Sequence, residues 1–210
     1  DRILIRSLGS LRIQRGAADG PEITITRPRQ KTLLGYLVAR IENPPSREQV
    51  IEALWPESDP EDGINSLNQS VHQLRRVLEP AYHDGDSPQY IISKVDTVRL
   101  DSTLVRTDLQ QFRALARELD DGSSNQRVVA RELVELVGGE FLAELIYEDW
   151  AGTFRAAAHA EIHEVLSRLT DGNWLARFPD LGLRAAVRLA ELDPYDEHAC
   201  LAMARCLQAT

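Results

Sequence analysis

From Gln30 to Leu78 apolar residues recur every three or four positions, but prolines at 44, 45, 56 and 60 cut the run into pieces and Pro80 closes it. A continuous rod or coiled coil cannot survive that punctuation, so the segment must fold as three short helices. The first spans Gln30 to Ile41, with Leu33, Leu34, Leu37, Val38 and Ile41 at helical spacing. The second begins at Ser46, where Ser46-Arg47-Glu48-Gln49 has the form of a capping box, and runs to about Leu54. The third follows Asp59-Pro60, a cap and first-turn proline, and reaches Leu78.

The flanks of this helical block have a different rhythm. Ile3, Ile5, Leu11 and Ile13 alternate with polar residues around Gly9, and Glu22 to Thr26 repeats the alternation after Asp19-Gly20-Pro21. Period-two patterning split by turn residues predicts a small antiparallel sheet. Behind the third helix, Tyr90-Ile91-Ile92 and Val98-Arg99-Leu100 flank a polar turn and predict a terminal hairpin. Sheet, three helices and hairpin together make a winged helix-turn-helix over residues 1–101.

From Asp108 onward only helical periodicity remains, which predicts an all-α domain over 102–210. Leu109, Phe112, Leu115 and Leu119 form one face, broken by the stretch 120–124, and Val128 to Val137 forms another, stopped by Gly138-Gly139. A long helix carries Trp150, Phe154, Ala158, Ile162, Leu166 and Leu169. Leu183 to Leu192, Asp193-Pro194 and Tyr195 to Leu207 then read as a helical hairpin of tetratricopeptide-like form. The fold class is therefore an α+β winged helix-turn-helix followed by a tetratricopeptide-like all-α domain. The missing initiator Met and the close inside a helical pattern suggest a piece excised from a longer protein.

Chemistry-bearing motifs are scarce. Phosphate-cradling glycine loops and nucleophile elbows are absent, and the acids are scattered rather than paired, so neither an enzyme nor a cofactor is expected. His159 and His163 share one helix face, but no third ligand stands near to complete a metal site, and interhelical or surface roles are expected. Cys200 and Cys206 are read as small core hydrophobes. No apolar run is long enough to cross a bilayer and no signal peptide opens the chain, which reads as cytoplasmic.

The net charge of −9 argues against indiscriminate coating of nucleic acid. It is unevenly distributed: residues 1–80 carry 11 basic and 11 acidic side chains, residues 102–210 carry 11 and 18. Only the front half suits a DNA surface. There, the third helix has Ile64, Leu67, Val71, Leu74 and Leu78 as an apolar stripe, and no acid between Gly63 and Leu78. A merely solvated face would mix both signs. The opposite side offers Asn65, Ser66, Asn68, Gln69, Ser70, His72, Gln73, Arg75 and Arg76, and the hairpin adds Lys94 and Arg99. Such groups reach base edges and phosphates from a major groove. The competing reading is a protein-interaction relay: a winged helix that no longer meets DNA, fused to a scaffold within a larger signalling ATPase.

In order and spacing, residues 27–37 (RPRQKTLLGYL), 46–56 (SREQVIEALWP) and 65–78 (NSLNQSVHQLRRVL) resemble the OmpR-type winged helix of the Streptomyces antibiotic regulatory protein family. The rear half resembles that family's bacterial transcriptional activation domain at Gly138-Gly139-Glu140-Phe141-Leu142, Tyr147-Glu148-Asp149-Trp150-Ala151 and Arg155. The resemblance implies that the third helix is the recognition helix, with Asn68, Ser70, His72, Gln73 and Arg76 facing DNA and Lys94 at the wing tip. It further implies homodimers or higher multimers on direct repeats in double-stranded promoter DNA, and contact with RNA polymerase. Two departures from the family pattern stand out: the wing has Thr97-Val98 where a Gly-Tyr pair is usual and an acid at Asp96, and the recognition helix is leaner in Arg than in many relatives.

Overall fold

The computed structural model describes residues 2–16, 20–122 and 125–208, except the side chains of residues 198 and 206–208. Packing divides the chain into two units, one built from Asp1–Ser7, Leu11–Thr107 and Glu144–Gly152, the other from Leu8–Ser10, Asp108–Ala143 and Thr153–Thr210.

The first unit opens with β1 (Ile3–Arg6) and β2 (Arg12–Arg15), antiparallel with Ile5 opposite Ile13. The alternation seen in sequence turns Ile3, Ile5 and Ile13 inward, each at most 2% exposed. The expected strand over 22–26 does not form. Glu22 makes one isolated bridge to Gln14, Ile23 donates to the Ile13 carbonyl at 2.8 Å, and the chain then turns into a helix at Pro28. The third strand of the sheet is instead β5 (Val105–Thr107), parallel to β1 on its other side.

Three helices follow: α1 (Pro28–Ala39), α2 (Arg47–Leu54) and α3 (Pro60–Leu78). Helix α1 is buried on nearly every side, from Gln30 and Thr32 through Leu33, Leu34, Tyr36, Leu37 and Val38, because α2, α3 and the hairpin all pack upon it. The capping box at α2 is present: Ser46 Oγ accepts from Gln49 N at 3.1 Å, and Gln49 Oε1 accepts from Ser46 N at 3.0 Å. The hairpin consists of β3 (Ile91–Ser93) and β4 (Val98–Leu100), pairing Ile91 with Leu100 and Ser93 with Val98.

The stretch Glu144–Gly152 also belongs to this unit. It is pinned to α1 at three points: Lys31 Nζ to Glu144 Oε2 at 2.8 Å, Thr32 Oγ1 donating to Glu148 Oε1 at 3.0 Å, and Trp150 edge-on to Tyr36 with centroids 5.1 Å apart. Sequence periodicity had placed Trp150 in a helix that in fact starts at Ala151.

The second unit is helical: α4 (Asp108–Asp121), α5 (Gln126–Leu136), a short 3-10 turn at Ala143–Leu145 that straddles the two units, α6 (Ala151–Leu169), α7 (Gly172–Arg177), α8 (Pro179–Leu192) and α9 (Glu197–Gln208). Helix α7 has no counterpart in the sequence reading; it is one and a half turns long, too short to show a period. Helices α4 with α5, and α8 with α9, form the closest pairs, and Arg113 on α4 grips Glu161 on α6 through both nitrogens at 2.7 and 2.8 Å. His163 meets Asp196 Oδ2 at 2.8 Å and stacks near His159. Cys200 is exposed, contrary to the expected core role, because it falls on the outer side of α9 beside Leu201; the side chain of Cys206 lies outside the described residues.

Backbone closeness explains Gly138 and Gly139 better than a helix stop alone. Gly9 N donates to the Glu140 carbonyl at 3.0 Å and Gly138 N to the Leu8 carbonyl at 3.1 Å, so two strands of main chain touch where all three glycines lie. A Cβ on Gly9, at φ +120°, would come within 3.3 Å of the Gly138 backbone. Gly16, at φ +79°, has open space around it. We therefore expect Gly9→Ala to lower stability by about 1–3 kcal/mol, from conformation and contact together, and Gly16→Ala by about 1 kcal/mol from conformation alone. Urea denaturation followed by circular dichroism ranks the two, and equal losses would contradict the close approach.

The turn between β4 and β5 is organised by Asp101, whose Oδ1 accepts from Thr103 Oγ1 at 2.6 Å and Thr103 N at 2.9 Å. The Thr103 hydroxyl, more than any other group, holds this carboxyl below its ordinary range. A carboxyl depressed in the folded state stabilises above its unfolded pKa and loses that contribution as pH falls through the folded value. NMR titration of Thr103→Val should show Asp101 titrating at higher pH than in the parent chain.

Candidate nucleic-acid interface

Helix α3 is held by Leu67, Val71, Leu74 and Leu78, none more than 3% exposed. Gly63 completes the fit, since a Cβ there would meet Ile51 Cγ2 at 2.6 Å. Residues half a turn away from that stripe must face outward. Asn65, Asn68, Gln69 and Arg76 are exposed, and Ser66, His72, Gln73 and Arg75 are partly so. Ser70, expected on the outer face, is turned inward at 9% exposure because it lies one helical turn from both Leu67 and Leu74, on the flank of the buried stripe. Ile64 departs in the opposite sense: expected in the apolar stripe, it is 45% exposed at the opening turn of the helix.

Several of the polar groups already have work within the unit. Arg75 donates from Nε and Nη2 to the Ile91 carbonyl at 3.1 and 3.0 Å, and its guanidinium lies over the Tyr82 ring. It therefore fastens the hairpin to α3 instead of projecting away. His72 Nδ1 lies 3.3 Å from the Asp84 carboxylate, and Gln73 Oε1 accepts from Gln30 at 3.4 Å. Arg76 is exposed, with no ion pair among the described residues.

In the hairpin, Lys94, Val95 and Asp96 are exposed at the tip, with Lys94 N donating to the Thr97 carbonyl at 2.8 Å. Arg99 lies opposite Ile92, half-buried, near enough to Asp101 to favour that carboxylate. The residue that sequence reasoning missed is Arg47. At the start of α2 its Nη1 donates to Ser93 Oγ at 2.9 Å, its Nη2 to Asn68 Oδ1, and its backbone N to the Asp96 carbonyl at 2.9 Å. One side chain thus ties α2, α3 and the hairpin together. Only its place after the Ser46 cap could have signalled this.

The result is a polar surface: α3 side chains in a row, a hairpin tip beside them, and acids at the first turn of α3 (Glu61, Asp62), at Asp96 and at Asp84 against His72. Nothing in it resembles a catalytic pocket, and among the described residues no group of three or more His, Cys, Asp or Glu is placed to hold a metal.

Known proteins share this architecture. Residues 21–97 match the family described as "Transcriptional regulatory protein, C terminal", so the first unit carries an OmpR-type winged helix. Over 136 residues, 65% of the chain, it is 29% identical to the regulatory protein AfsR of Streptomyces coelicolor, and it is homologous to that protein. The match spans 13% of AfsR. Among solved structures, Mycobacterium tuberculosis EmbR, solved in complex with a low-affinity phosphopeptide, aligns over the whole chain with a TM-score of 0.59 at 19% identity, the chain accounting for 66% of EmbR. That likeness supports the fold: a winged helix followed by a largely helical remainder.

Arg75→Ala should free the β3 carbonyl and loosen the hairpin, at a cost of about 1–3 kcal/mol for the lost charge-assisted bonds. Hydrogen exchange should rise across residues 90–100 with little change in β1 and β2. Unaltered protection there would mean that Arg75 is not the fastener.

Proposed function

We propose that this chain is a sequence-specific DNA-binding regulator of transcription that lays α3 in the major groove and rests the Lys94 hairpin tip on the adjacent backbone or minor groove. The observation that carries this reading is the α3 surface. From Gly63 to Leu78 it has no acid, and its buried stripe fixes the polar side outward. Phosphates would be met by Arg76 and Lys94, which position the helix; Asn65, Asn68 and Gln69 are the side chains free to reach base edges. Ser66, His72, Gln73 and Arg99 flank that row, and Ser70 and Arg75 support it from within. The regulator family match over 21–97 points the same way.

The finer reading extends the family resemblance. The chain acts in the cytoplasm, as a homodimer on direct repeats of promoter DNA, activating transcription by touching RNA polymerase through its helical unit. Residues 102–210, with 11 basic against 18 acidic side chains, suit a protein partner better than a phosphate backbone. Among the described residues no helix is long and apolar enough to cross a membrane. No enzymatic step is assigned.

With a promoter duplex and fluorescence anisotropy across a salt series, Arg76→Ala and Lys94→Ala should each weaken binding and reduce the slope of log K against log salt by about one unit. Asp96→Asn should strengthen binding, because it removes an exposed acid beside the phosphate path. If no duplex binds in a salt-dependent manner, the proposal fails. A protein partner that survives nuclease and is lost on changing the α3 surface would then establish a relay.

A further inference from the structure

Two details of α3 bear on which base it reads, and this inference rests on the DNA-binding reading above. The first is the state of Asn68. Its Oδ1 accepts a hydrogen bond from Arg47 Nη2, and the same guanidinium is anchored to Ser93 Oγ at 2.9 Å. A guanidinium only donates, so the orientation of the Asn68 amide is not ambiguous: oxygen toward Arg47, NH2 outward. Among the described residues that NH2 has no protein partner, and the residue is exposed. Asparagine recognises adenine by accepting from N6 while donating to N7, and here one of the two lone pairs of the accepting oxygen is already taken by a charged donor, which disfavours that pairing. The group left wholly unengaged is a donor, suited to O4 of thymine or to O6 and N7 of guanine.

The second detail decides between those. Ile64 precedes Asn68 by one helical turn, so their side chains are neighbours, and Ile64 is 45% exposed on a helix whose other apolar residues in that register are buried. Against guanine, a branched aliphatic group would strip water from polar edge atoms with nothing in return. Thymine presents a C5 methyl directly beside its O4 acceptor, so one base satisfies both side chains. We infer that Ile64 and Asn68 together read a thymine, the Asn68 amide donating to O4 while Ile64 packs on the methyl, with Arg47 as the positioning residue that fixes the amide.

The test selects bound duplexes from a random pool with the parent chain, then measures affinity for the selected site and for the same site with deoxyuridine at each thymine in turn. At one position under α3, uracil should weaken binding roughly threefold, the worth of one buried methyl. Ile64→Ala should weaken binding to the thymine site and abolish the thymine–uracil difference there. Asn68→Asp, which keeps the Arg47 contact but replaces the outward donor by an acceptor, should move the selected base at that position from thymine to cytosine. Arg47→Ala, checked for folding by its thermal transition, should let adenine in. Salt-dependent binding with no uracil-sensitive thymine, or an unchanged base preference in Asn68→Asp, overturns this inference and leaves DNA binding standing. Absence of salt-dependent binding to every duplex overturns both.

Discussion

The burial of α1 is the constraint on which the first unit depends. A twelve-residue helix with eight buried positions has little surface left for solvent, so the helices beside it must bring apolar faces to it. Helix α3 brings Leu67, Val71, Leu74 and Leu78, and by doing so has its rotation about its own axis fixed. A helix rotated by one residue, about 100°, would bury polar amides without partners, at several kcal/mol. The outward display of Asn65, Asn68 and Gln69 is therefore set by packing, before any ligand is considered. The segment 144–152, with Glu144, Glu148 and Trp150 on Lys31, Thr32 and Tyr36, closes the remaining side of α1.

Electrostatics act on a smaller scale than packing. The acids of the first turn of α3, Glu61 and Asp62, complement the helix dipole and support the helix itself, while opposing any phosphate brought to that end. The cations serve different purposes. Arg75 is spent on the Ile91 carbonyl and Arg47 on Ser93 and Asn68, which leaves Arg76 and Lys94 as the exposed positive charges of the surface. Two exposed cations can neutralise few phosphates, so the surface is poorly suited to holding polyanions by charge alone.

Much of the fold was legible because it rests on local rules. Proline punctuation separated α1, α2 and α3; the Ser46 capping box and the third-helix stripe were visible as patterns and recur as contacts. What was not legible depends on distant pairing. Strand β5 has only three residues and pairs in parallel with β1, a hundred positions away, so its period cannot show. The strand expected at 22–26 has the right alternation but makes only one bridge, from Glu22 to Gln14, and the third place in the sheet goes to β5. Gly138 and Gly139 read locally as a stop, whereas their close approach to Leu8 and Gly9 appears only in three dimensions.

The same distinction runs through the candidate site. Residue type identified which side chains are able to touch DNA; it could not say which had been claimed by the protein. Ser70, Arg75 and Asn68 look equivalent as polar positions on one helix, yet Ser70 is buried, Arg75 closes a hairpin, and the Asn68 oxygen is engaged by Arg47. An amide whose orientation is fixed is more selective than a free one, because it can satisfy fewer partners. Recognition on such a surface is set as much by the hydrogen bonds made within the unit as by the groups left pointing out of it. Changing a supporting residue such as Arg47 therefore alters which hydrogen bonds Asn68 offers at the surface without changing Asn68 itself.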